Sequence, residues 1–240
     1  MSAHRRPHEG AGSLKATRPP ADSEAVRPRR PAALAPTRDR PAPPPRPRIV
    51  VVGASTGGPK ALGTLLGGLA APFPLPILVA QHMPGPFLTL LAQRLAIDTG
   101  HDVRLADQGT LIRPGRVLLA PGDRHMTVRG PAPRASITLQ ASPPEHYCRP
   151  AADPLLRSAA DVFGPATLCV VLTGMGEDAS AGSRVIVAAG GRVVVQDEAT
   201  SVVWGMPGAV SRAGLASAAV PIDSMAATLA QICGVVPGGQ

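Results

Sequence analysis

The chain has 240 residues, of which 44% are hydrophobic and 17% charged, so it is long and apolar enough for one or two domains with a sizeable core. No apolar run approaches the roughly 18 residues that span a bilayer, and no signal-peptide core follows the N-terminus, so we expect a cytoplasmic protein without membrane insertion. The three cysteines are odd in number and widely spaced, which predicts reduced thiols and argues against a disulfide framework or a zinc site.

The N-terminal segment carries most of the net charge. Residues 1–48 hold 11 Lys and Arg against four Asp and Glu, which gives +7 of the total of +8. Repeated prolines and the lack of apolar periodicity predict that residues 1–47 are a disordered basic tail and that the folded domain covers residues 48–235. The tail can be a solvated linker or a docking arm for an acidic partner. Because it has no aromatic residue to stack on bases, we expect no nucleic-acid binding.

The first apolar run leads into a glycine-rich turn. Four β-branched residues at 49–52 precede the turn, and Pro59 follows it at a position typical of the first turn of a helix. Gly53-Ala-Ser-Thr-Gly57 has the G-x-S-x-G form, in which small neighbours expose a serine hydroxyl between a strand and a helix. Ser55 is therefore the predicted nucleophile, with the helix N-terminus above it. The turn also fits a nucleotide-binding loop, so a dinucleotide-dependent reductase is an alternative.

A second strand and a histidine follow the first helix. The apolar run 75–80 predicts a strand that pairs in parallel with the first one. His82 lies just past its carboxyl end, at the edge where ligands bind in open α/β sheets and where Ser55 also lies. An amphipathic helix is predicted from residue 86 to residue 99, and we expect His101, which follows its glycine cap, to be exposed.

The middle of the chain predicts short elements. Strands expected at 103–105, 117–120, 125–128 and 136–140, separated by turns with proline and glycine, indicate an antiparallel excursion from the sheet. His125 is predicted to lie in this hairpin, paired with Asp123, and away from the site.

The C-terminal part returns to alternating strands and helices. Asp153-Pro154 predicts the N-cap and first residue of a helix, and the run 166–173 predicts a buried strand that leads to Asp178. Asp178 thus occupies a third strand-to-helix loop at the edge that holds Ser55 and His82, although a simple helix cap is also possible there. Together the elements predict an α/β fold with a doubly wound, mostly parallel sheet in a Rossmann-like three-layer arrangement and an antiparallel hairpin excursion.

Ser55, His82 and Asp178 supply the three groups that acyl transfer requires. A nucleophile, a base that takes its proton and a carboxylate that orients the imidazole form a catalytic triad. By analogy with serine hydrolases we expect Nε2 of His82 to face Ser55, and we expect neither a cofactor nor a metal. The chain order is Ser, His, Asp, whereas α/β-hydrolases place the acid before the histidine, so their fold is not predicted.

Five motifs, in their order and spacing, resemble those of the catalytic domain of the bacterial chemotaxis protein-glutamate methylesterase family. They are Gly-Ala-Ser55-Thr-Gly-Gly, Gln-His82-Met-Pro, Ala-Pro-Gly-Asp-Arg-His-Met126, Leu-Thr-Gly-Met-Gly-Glu-Asp178 and Trp-Gly-Met-Pro207. The resemblance covers about residues 48–233. It implies that Ser55, His82 and Asp178 are the triad and that the backbone N–H of Met175 helps to hold the oxyanion, and we expect the N–H of Thr56 to assist.

The resemblance also implies a reaction and partners. The substrates would be glutamate methyl esters on the cytoplasmic helices of methyl-accepting chemoreceptors, with methanol released through an acyl-enzyme. Certain receptor glutamines would also be deamidated. The role would be adaptation in chemotaxis, with the tail available to other chemotaxis signalling proteins. Members usually carry a receiver domain before the esterase, whereas here the basic tail precedes it, so we expect a stand-alone esterase.

Three residues depart from the family pattern. Glu177 and Ala179 stand where Asn and Gly usually flank the aspartate, and Cys148 stands where a histidine often precedes Arg-Pro. A non-catalytic interaction module with the same fold is therefore the main alternative. The reductase is disfavoured, because Tyr147, the single tyrosine, has Ala151 and not lysine four residues later.

Overall fold

The structure, a computed structural model, describes residues 45–235. Its strands are β1 (Ile49–Ala54), β2 (Ile77–Gln81), β3 (Asp102–Leu105), β4 (Arg116–Leu119), β5 (His125–Arg129), β6 (Ser136–Gln140), β7 (Thr167–Val171), β8 (Arg192–Gln196) and β9 (Ala218–Val220). Its α-helices are α1 (Gly58–Gly67), α2 (Gly85–Thr99), α3 (Ala152–Phe163), α4 (Ser180–Ala188), α5 (Met206–Arg212) and α6 (Ile222–Cys233). Apart from residues 45–47, the predicted tail lies outside the described residues, so its disorder and the domain boundary at residue 48 stay predictions.

Seven strands form one parallel sheet in the order β3-β4-β2-β1-β7-β8-β9. Its central strands, β1, β2 and β7, are apolar runs buried on both faces, as expected where helices cover both sides of a parallel sheet. β5 and β6 pair antiparallel outside this sheet. The predicted doubly wound α/β fold with an antiparallel hairpin is therefore confirmed.

Helices cover both faces of the sheet. Because side chains alternate along a strand, Val50 and Val52 of β1 enter one core, and Ile49 and Val51 enter the other. The first core contains the buried faces of α1, α2 and α6, and the second contains those of α3, α4 and α5 with the β5–β6 hairpin. The result is the predicted three-layer arrangement. Within residues 45–235, no helix combines the length and apolarity that crossing a membrane requires.

The middle of the chain differs from the prediction. β3 and β4 belong to the parallel sheet, so the antiparallel excursion consists of β5 and β6 alone. The turns before these strands resemble hairpin turns in composition, but β4 pairs with β2, a partner about 40 residues earlier that local patterns do not reveal. β9, at the sheet edge, has only three residues and was not predicted.

Two histidines lie in other surroundings than predicted. His101 is buried, so the expectation that it is exposed is wrong; its Nε2 donates to the carbonyl oxygen of Leu66 at 3.0 Å near the end of α1. His125 lies in β5 as predicted, but its Nε2 donates to the carbonyl oxygen of Pro143 at 3.0 Å, so the expected pairing with Asp123 is wrong. Both imidazoles have backbone partners far along the chain, which explains why local sequence did not place them.

The strand order reverses at β1, which positions the functional residues. β2 lies on one side of β1 and β7 on the other, so the chain leaves the centre of the sheet in both directions. Ligands bind at such a reversal, beyond the carboxyl ends of the strands. Ser55 follows β1, His82 follows β2 and Asp178 lies in the connection from β7 to α4. The three predicted site residues therefore share one edge of the sheet.

Candidate active site

Ser55 lies in the tight turn between β1 and α1. Gly57 ends this turn with a φ of +81°, a left-handed conformation that residues with a Cβ adopt only under strain. The N–H of Ser55 donates to the carbonyl oxygen of Thr173 at 3.0 Å. Its own carbonyl oxygen accepts from the Gly58 N–H at 2.8 Å and from Gln81 Nε2 at 2.9 Å. The backbone of the predicted nucleophile is therefore held by three hydrogen bonds.

His82 lies beside Ser55 at the end of the neighbouring strand. The parallel register pairs Ala54 with Gln81, and the N–H of His82 donates to the carbonyl oxygen of Ala54 at 3.0 Å. The next residue of β1 is Ser55 and the next of β2 is His82, so the structure brings the two together. Within residues 45–235, no hydrogen bond joins Ser55 Oγ to the imidazole, whose ring nitrogens contact other side chains.

The His82 ring is held by Asp178. Nε2 lies 2.6 Å from Asp178 Oδ2, and the side chains of His82 and Asp178 are only 9% and 1% exposed. An ionised carboxylate can only accept a hydrogen bond, so Nε2 donates and Nδ1 is the nitrogen that remains as a base. The expectation that Nε2 faces Ser55 is therefore wrong. The strand end presents the ring with Nε2 toward Asp178 and Nδ1 away from it.

Asp178 also closes the N-terminus of α3. Oδ2 accepts the N–H of Ala152 at 2.6 Å, and Oδ1 accepts those of Asp153 at 2.9 Å and Ala179 at 2.8 Å. Burial alone would raise the pKa of Asp178, but the hydrogen bonds from His82 and from the N–H groups of Ala152 and Asp153 lower it below its ordinary value. The carboxylate is consequently ionised and acceptor-only, as the orientation of His82 requires.

Asp153 was predicted to cap α3 but caps another helix. α3 begins at Ala152, which places Asp153 in its first turn, where Asp178 supplies the cap. Asp153 Oδ1 instead accepts the N–H of Gly182 at 2.5 Å in the first turn of α4, the helix that follows Asp178. Burial, and then repulsion from Asp178, raise the pKa of Asp153. Asp178, which precedes α4, caps α3, and Asp153, which lies in α3, caps α4. These two caps fix α3 and α4 to each other at the site.

A thiol lies on the other side of the His82 ring. Cys148 Sγ is 3.4 Å from His82 Nδ1, within hydrogen-bonding distance for sulfur. Burial and the negative charge of Asp178 raise the pKa of this thiol, which keeps it protonated at neutral pH. The sequence marks Cys148 only as a departure from the family pattern, because it lies 66 residues after His82 and no local signal indicates the contact.

The predicted oxyanion donors lie in two loops at the same edge. Met175 is exposed in the loop after β7. Gly174 fixes the shape of this loop, because the Gly174 carbonyl oxygen accepts the N–H groups of Gly205 at 3.0 Å and Met206 at 2.8 Å. A Cβ on Gly174 would lie 2.6 Å from Ser55 Cβ, so glycine is required for this close approach. The N–H groups of Met175 and Thr56 have no acceptor among residues 45–235. Their role as oxyanion donors stays a prediction.

Two polar residues that support the site were missed from sequence. Gln81 is buried, and its Nε2 donates to the carbonyl oxygens of Ser55 at 2.9 Å and His82 at 3.1 Å. Thr173 Oγ1 donates to the carbonyl oxygen of Thr56 at 2.9 Å, so it fixes the residue after the predicted nucleophile. Gln81 is the last residue of β2, and Thr173 lies two residues past the end of β7. A polar residue at the carboxyl end of a buried strand is the signal that could have identified both.

Within residues 45–235, one cluster of side chains that could bind a metal includes Asp178 of the site. His146, Asp153 and Asp178 offer atoms within 4.8 Å of one another. Their oxygen atoms already accept hydrogen bonds, however, from the N–H groups of α3 and α4, from His82, and from His146 Nε2 at 2.9 Å. The geometry therefore assigns this cluster to helix capping and to the orientation of His82.

The comparison with known proteins identifies the family. Residues 50–229 match the family model described as CheB methylesterase, which is 180 of the 240 residues. The chain belongs to the CheB methylesterase family. The crystal structure of the Thermotoga maritima CheB methylesterase catalytic domain superposes with a TM-score of 0.76 at 37% identity, over 78% of this chain and 98% of that domain. The fold is therefore that of the CheB methylesterase catalytic domain.

Two longer CheB methylesterase relatives show how much of such a protein this chain represents. A Paramagnetospirillum magneticum protein named protein-glutamate methylesterase/protein-glutamine glutaminase 1 is 48% identical over 181 residues, 75% of this chain and 48% of the relative. A Caulobacter vibrioides protein with the same name and the number 2 is 49% identical over 221 residues, 91% of this chain and 60% of the relative. The chain thus spans about half the length of the curated relatives it matches.

The family departures now have structural positions. Ala179 adopts a φ of +76°, the left-handed conformation that favours the glycine usual at this position, and it is buried in the core between α3 and the sheet. Glu177 is exposed in the loop after β7. Neither residue disturbs the hydrogen bond between Asp178 and His82. The reductase alternative is wrong, since the chain has the CheB methylesterase fold and Tyr147, its single tyrosine, is fully exposed.

Proposed function

We propose that this chain is a serine hydrolase that removes methyl groups from glutamate methyl esters through an acyl-enzyme on Ser55. One observation carries the proposal: the hydrogen bond of 2.6 Å between His82 Nε2 and Asp178 Oδ2, at the strand ends that also hold Ser55. A buried carboxylate that fixes one imidazole nitrogen leaves the other as a base for the adjacent hydroxyl. The chain spans about half of its curated relatives, and the proposed acyl-enzyme mechanism rests on the geometry of this site.

The first half of the reaction forms the acyl-enzyme. Ser55 Oγ attacks the ester carbonyl carbon, and His82 Nδ1 takes the hydroxyl proton while Nε2 stays hydrogen-bonded to Asp178. The carbonyl oxygen becomes an oxyanion, which the N–H groups of Met175 and Thr56 stabilise together with the N-terminal end of α1. When the tetrahedral intermediate collapses, the carbon–methoxide bond breaks and His82 returns its proton to the methoxide. Methanol leaves, and the glutamyl group remains esterified to Ser55.

The second half releases glutamate. His82 Nδ1 takes a proton from a water molecule, which attacks the acyl carbon, and the bond from that carbon to Ser55 Oγ breaks as the proton passes to the serine. Asp178 transfers no proton in either half. A glutamine side chain can follow the same path with ammonia as the leaving group, so deamidation of receptor glutamines is part of the proposal.

We propose methyl-accepting chemoreceptor cytoplasmic helices as the substrate and partner, and adaptation in chemotaxis as the role. The relatives named protein-glutamate methylesterase/protein-glutamine glutaminase support this choice of ester and amide. Large apolar side chains are exposed in the loops that surround the site, with Met175 at 73%, Val202 at 65% and Tyr147 fully exposed. Such a rim suits the apolar stripe of a helix. The proposal places the reaction in the cytoplasm.

Methanol release from methylated cytoplasmic receptor fragments tests this function. The wild-type chain is expected to release methanol in step with the loss of methyl groups, and Ser55→Ala is expected to release at least 10³-fold less, since the loss of a triad nucleophile costs on the order of 10⁶ in rate. Asp98→Asn, on the exposed side of α2, is the control. A wild-type protein that binds the fragments without releasing methanol would favour the non-catalytic interaction module.

A further inference from the structure

The thiol of Cys148 is within hydrogen-bonding distance of Nδ1 of His82, the nitrogen that acts as the base in the proposed reaction. Cys148 Sγ lies 3.4 Å from Nδ1, and Tyr147 and these two residues are among those that line a shallow cleft of about 340 Å³. Ser55, which must donate to the same nitrogen, makes no hydrogen bond to it within residues 45–235. The described site therefore contains two donors for one base.

A strained turn holds Cys148 in this position. Glu145 and Cys148 exchange backbone hydrogen bonds of 3.1 and 2.9 Å across the turn. Its two central residues, His146 and Tyr147, have φ values of +51° and +62°, which cost of order 1 kcal/mol or more each for residues with a Cβ. Such a turn persists only when its surroundings enforce it.

The surroundings that enforce the turn come from α3. Arg157 donates to both carboxylate oxygens of Glu145, at 2.7 and 3.0 Å, and His146 Nε2 donates to Asp153 Oδ2 at 2.9 Å. Both acceptor–donor pairs tie the turn to the helix whose N-terminus Asp178 closes. The position of the thiol is thus built into the same framework that orients His82.

The imidazole cannot serve both donors at once. Nε2 carries the proton that is donated to Asp178, so in the neutral ring only Nδ1 accepts, and it has one lone pair. The raised pKa of Cys148 keeps the proton on its sulfur, which makes the thiol a hydrogen-bond donor and a poor nucleophile at neutral pH. Ser55 can be activated only when the thiol no longer donates its hydrogen bond to Nδ1.

We propose that Cys148 is a positioning residue that competes with Ser55: in the resting site its thiol occupies Nδ1 of His82, and Ser55 must displace it before attack. The inference rests on the proposed function, because it concerns the base of that reaction. A neutral hydrogen bond shifts an equilibrium by about fivefold, so removal of the thiol should increase the reactivity of Ser55 by up to this factor. A stronger donor at the same position should decrease it.

The rate of Ser55 modification by a serine-directed phosphonate measures this competition in the full chain. Cys148→Ala is expected to react two- to fivefold faster than wild type. Cys148→Ser is expected to react no faster than wild type, because a hydroxyl donates more strongly than a thiol. Cys233→Ala is the matched control, since this cysteine is buried in the core on the other face of the sheet and should leave the rate unchanged. A Cys148→Ala rate equal to or below wild type would overturn the proposal, as would an adduct on Cys148.

Nitrogen NMR of the imidazole tests the contact without activity. In protein labelled with ¹⁵N-histidine, the Nδ1 resonance of His82, assigned with His82→Gln, should shift in Cys148→Ala and return toward the wild-type position in Cys148→Ser. The buried His101 and His125 signals are the internal reference. An Nδ1 resonance that is identical in wild type and Cys148→Ala would overturn the proposal. If wild type does not react with the phosphonate at all, the proposed function fails. The spectrum still shows whether the Cys148 thiol donates to Nδ1 of His82.

Discussion

Oδ2 of Asp178 lies 2.6 Å from Nε2 of His82, and the same oxygen accepts the N–H of Ala152 at 2.6 Å where α3 begins. One carboxylate therefore orients the predicted base and completes the hydrogen bonding of a helix N-terminus. Turnover and stability depend on the same side chain, although on different interactions. Substitutions at this position can separate the two.

Asp178→Asn is expected to lower turnover by a factor of about 10⁴. In free energy, the loss of stability should be smaller than this loss of transition-state stabilisation. Either amide orientation places an NH₂ group where a carboxylate oxygen now accepts two donors. When this group faces His82 it donates to Nε2, so the ring proton moves to Nδ1 and the base is lost, which costs about this factor in serine hydrolases. Turnover of a small methyl ester checks the prediction. An Asn variant that retains a tenth of wild-type turnover would contradict the orienting role of Asp178.

The ionisation of Asp178 and that of Asp153 are expected to affect the free energy of unfolding with opposite signs. The pKa of Asp178 is lower in the folded protein than the unfolded value of about 3.9, so its stabilisation is complete above that value and is lost as the pH falls through the folded pKa. The pKa of Asp153 is raised, so its ionisation reduces stability as the pH rises from about 3.9 through the folded pKa.

Urea unfolding of wild type, Asp178→Asn and Asp153→Asn between pH 2.5 and 7 measures both effects. The advantage of wild type over Asp178→Asn should shrink on acidification, and its advantage over Asp153→Asn should grow or its disadvantage diminish. The same direction of change in both pairs would show that the assignment of the two carboxylates is wrong.

Gln81→Leu is expected to reduce turnover by about 10- to 100-fold, because the buried amide holds the carbonyl oxygens of both Ser55 and His82 and small displacements of reacting groups are costly. The loss of two hydrogen bonds should lower the free energy of unfolding by about 1–3 kcal/mol. Thr167→Val is the control, since this threonine is equally buried but lies at the opposite end of the sheet, at the start of β7, where its Oγ1 donates to the carbonyl oxygen of Ala159. Equal losses of turnover in the two variants, at equal losses of stability, would remove the special role of Gln81.

Much of the site could be predicted because the carboxyl ends of parallel strands meet at one edge. Ser55 follows β1, His82 follows β2 and Asp178 lies in the loop after β7, so recognition of these strands predicted that the three residues share one edge. The Ile and Val runs that specify β1, β2 and β7 are unambiguous local signals. The same rule points to Gln81, which belongs to the motif Gln-His82-Met-Pro but has no predicted role of its own.

Contacts between distant segments could not be predicted. The sequence Asp153-Pro154 predicts Pro154 as the first residue of a helix, yet α3 begins two residues earlier at Ala152, where Asp178 of the β7–α4 connection caps it from outside the helix. The choice between the two nitrogens of His82, and the thiol that approaches Nδ1, likewise depend on how α3 packs against the sheet edge. Such tertiary relationships have no local pattern, and they set the chemistry of the base.

Mass spectrometry after incubation with a serine-directed phosphonate tests whether Ser55 is the nucleophile of a hydrolase. We expect a single adduct on the wild-type chain that peptide mapping places on Ser55, and no adduct on a folded Ser55→Ala variant. His82→Gln should react far more slowly at the same residue, since Nδ1 would no longer take the proton. An adduct that persists in Ser55→Ala, or a folded wild-type chain that acquires none, would contradict the claim.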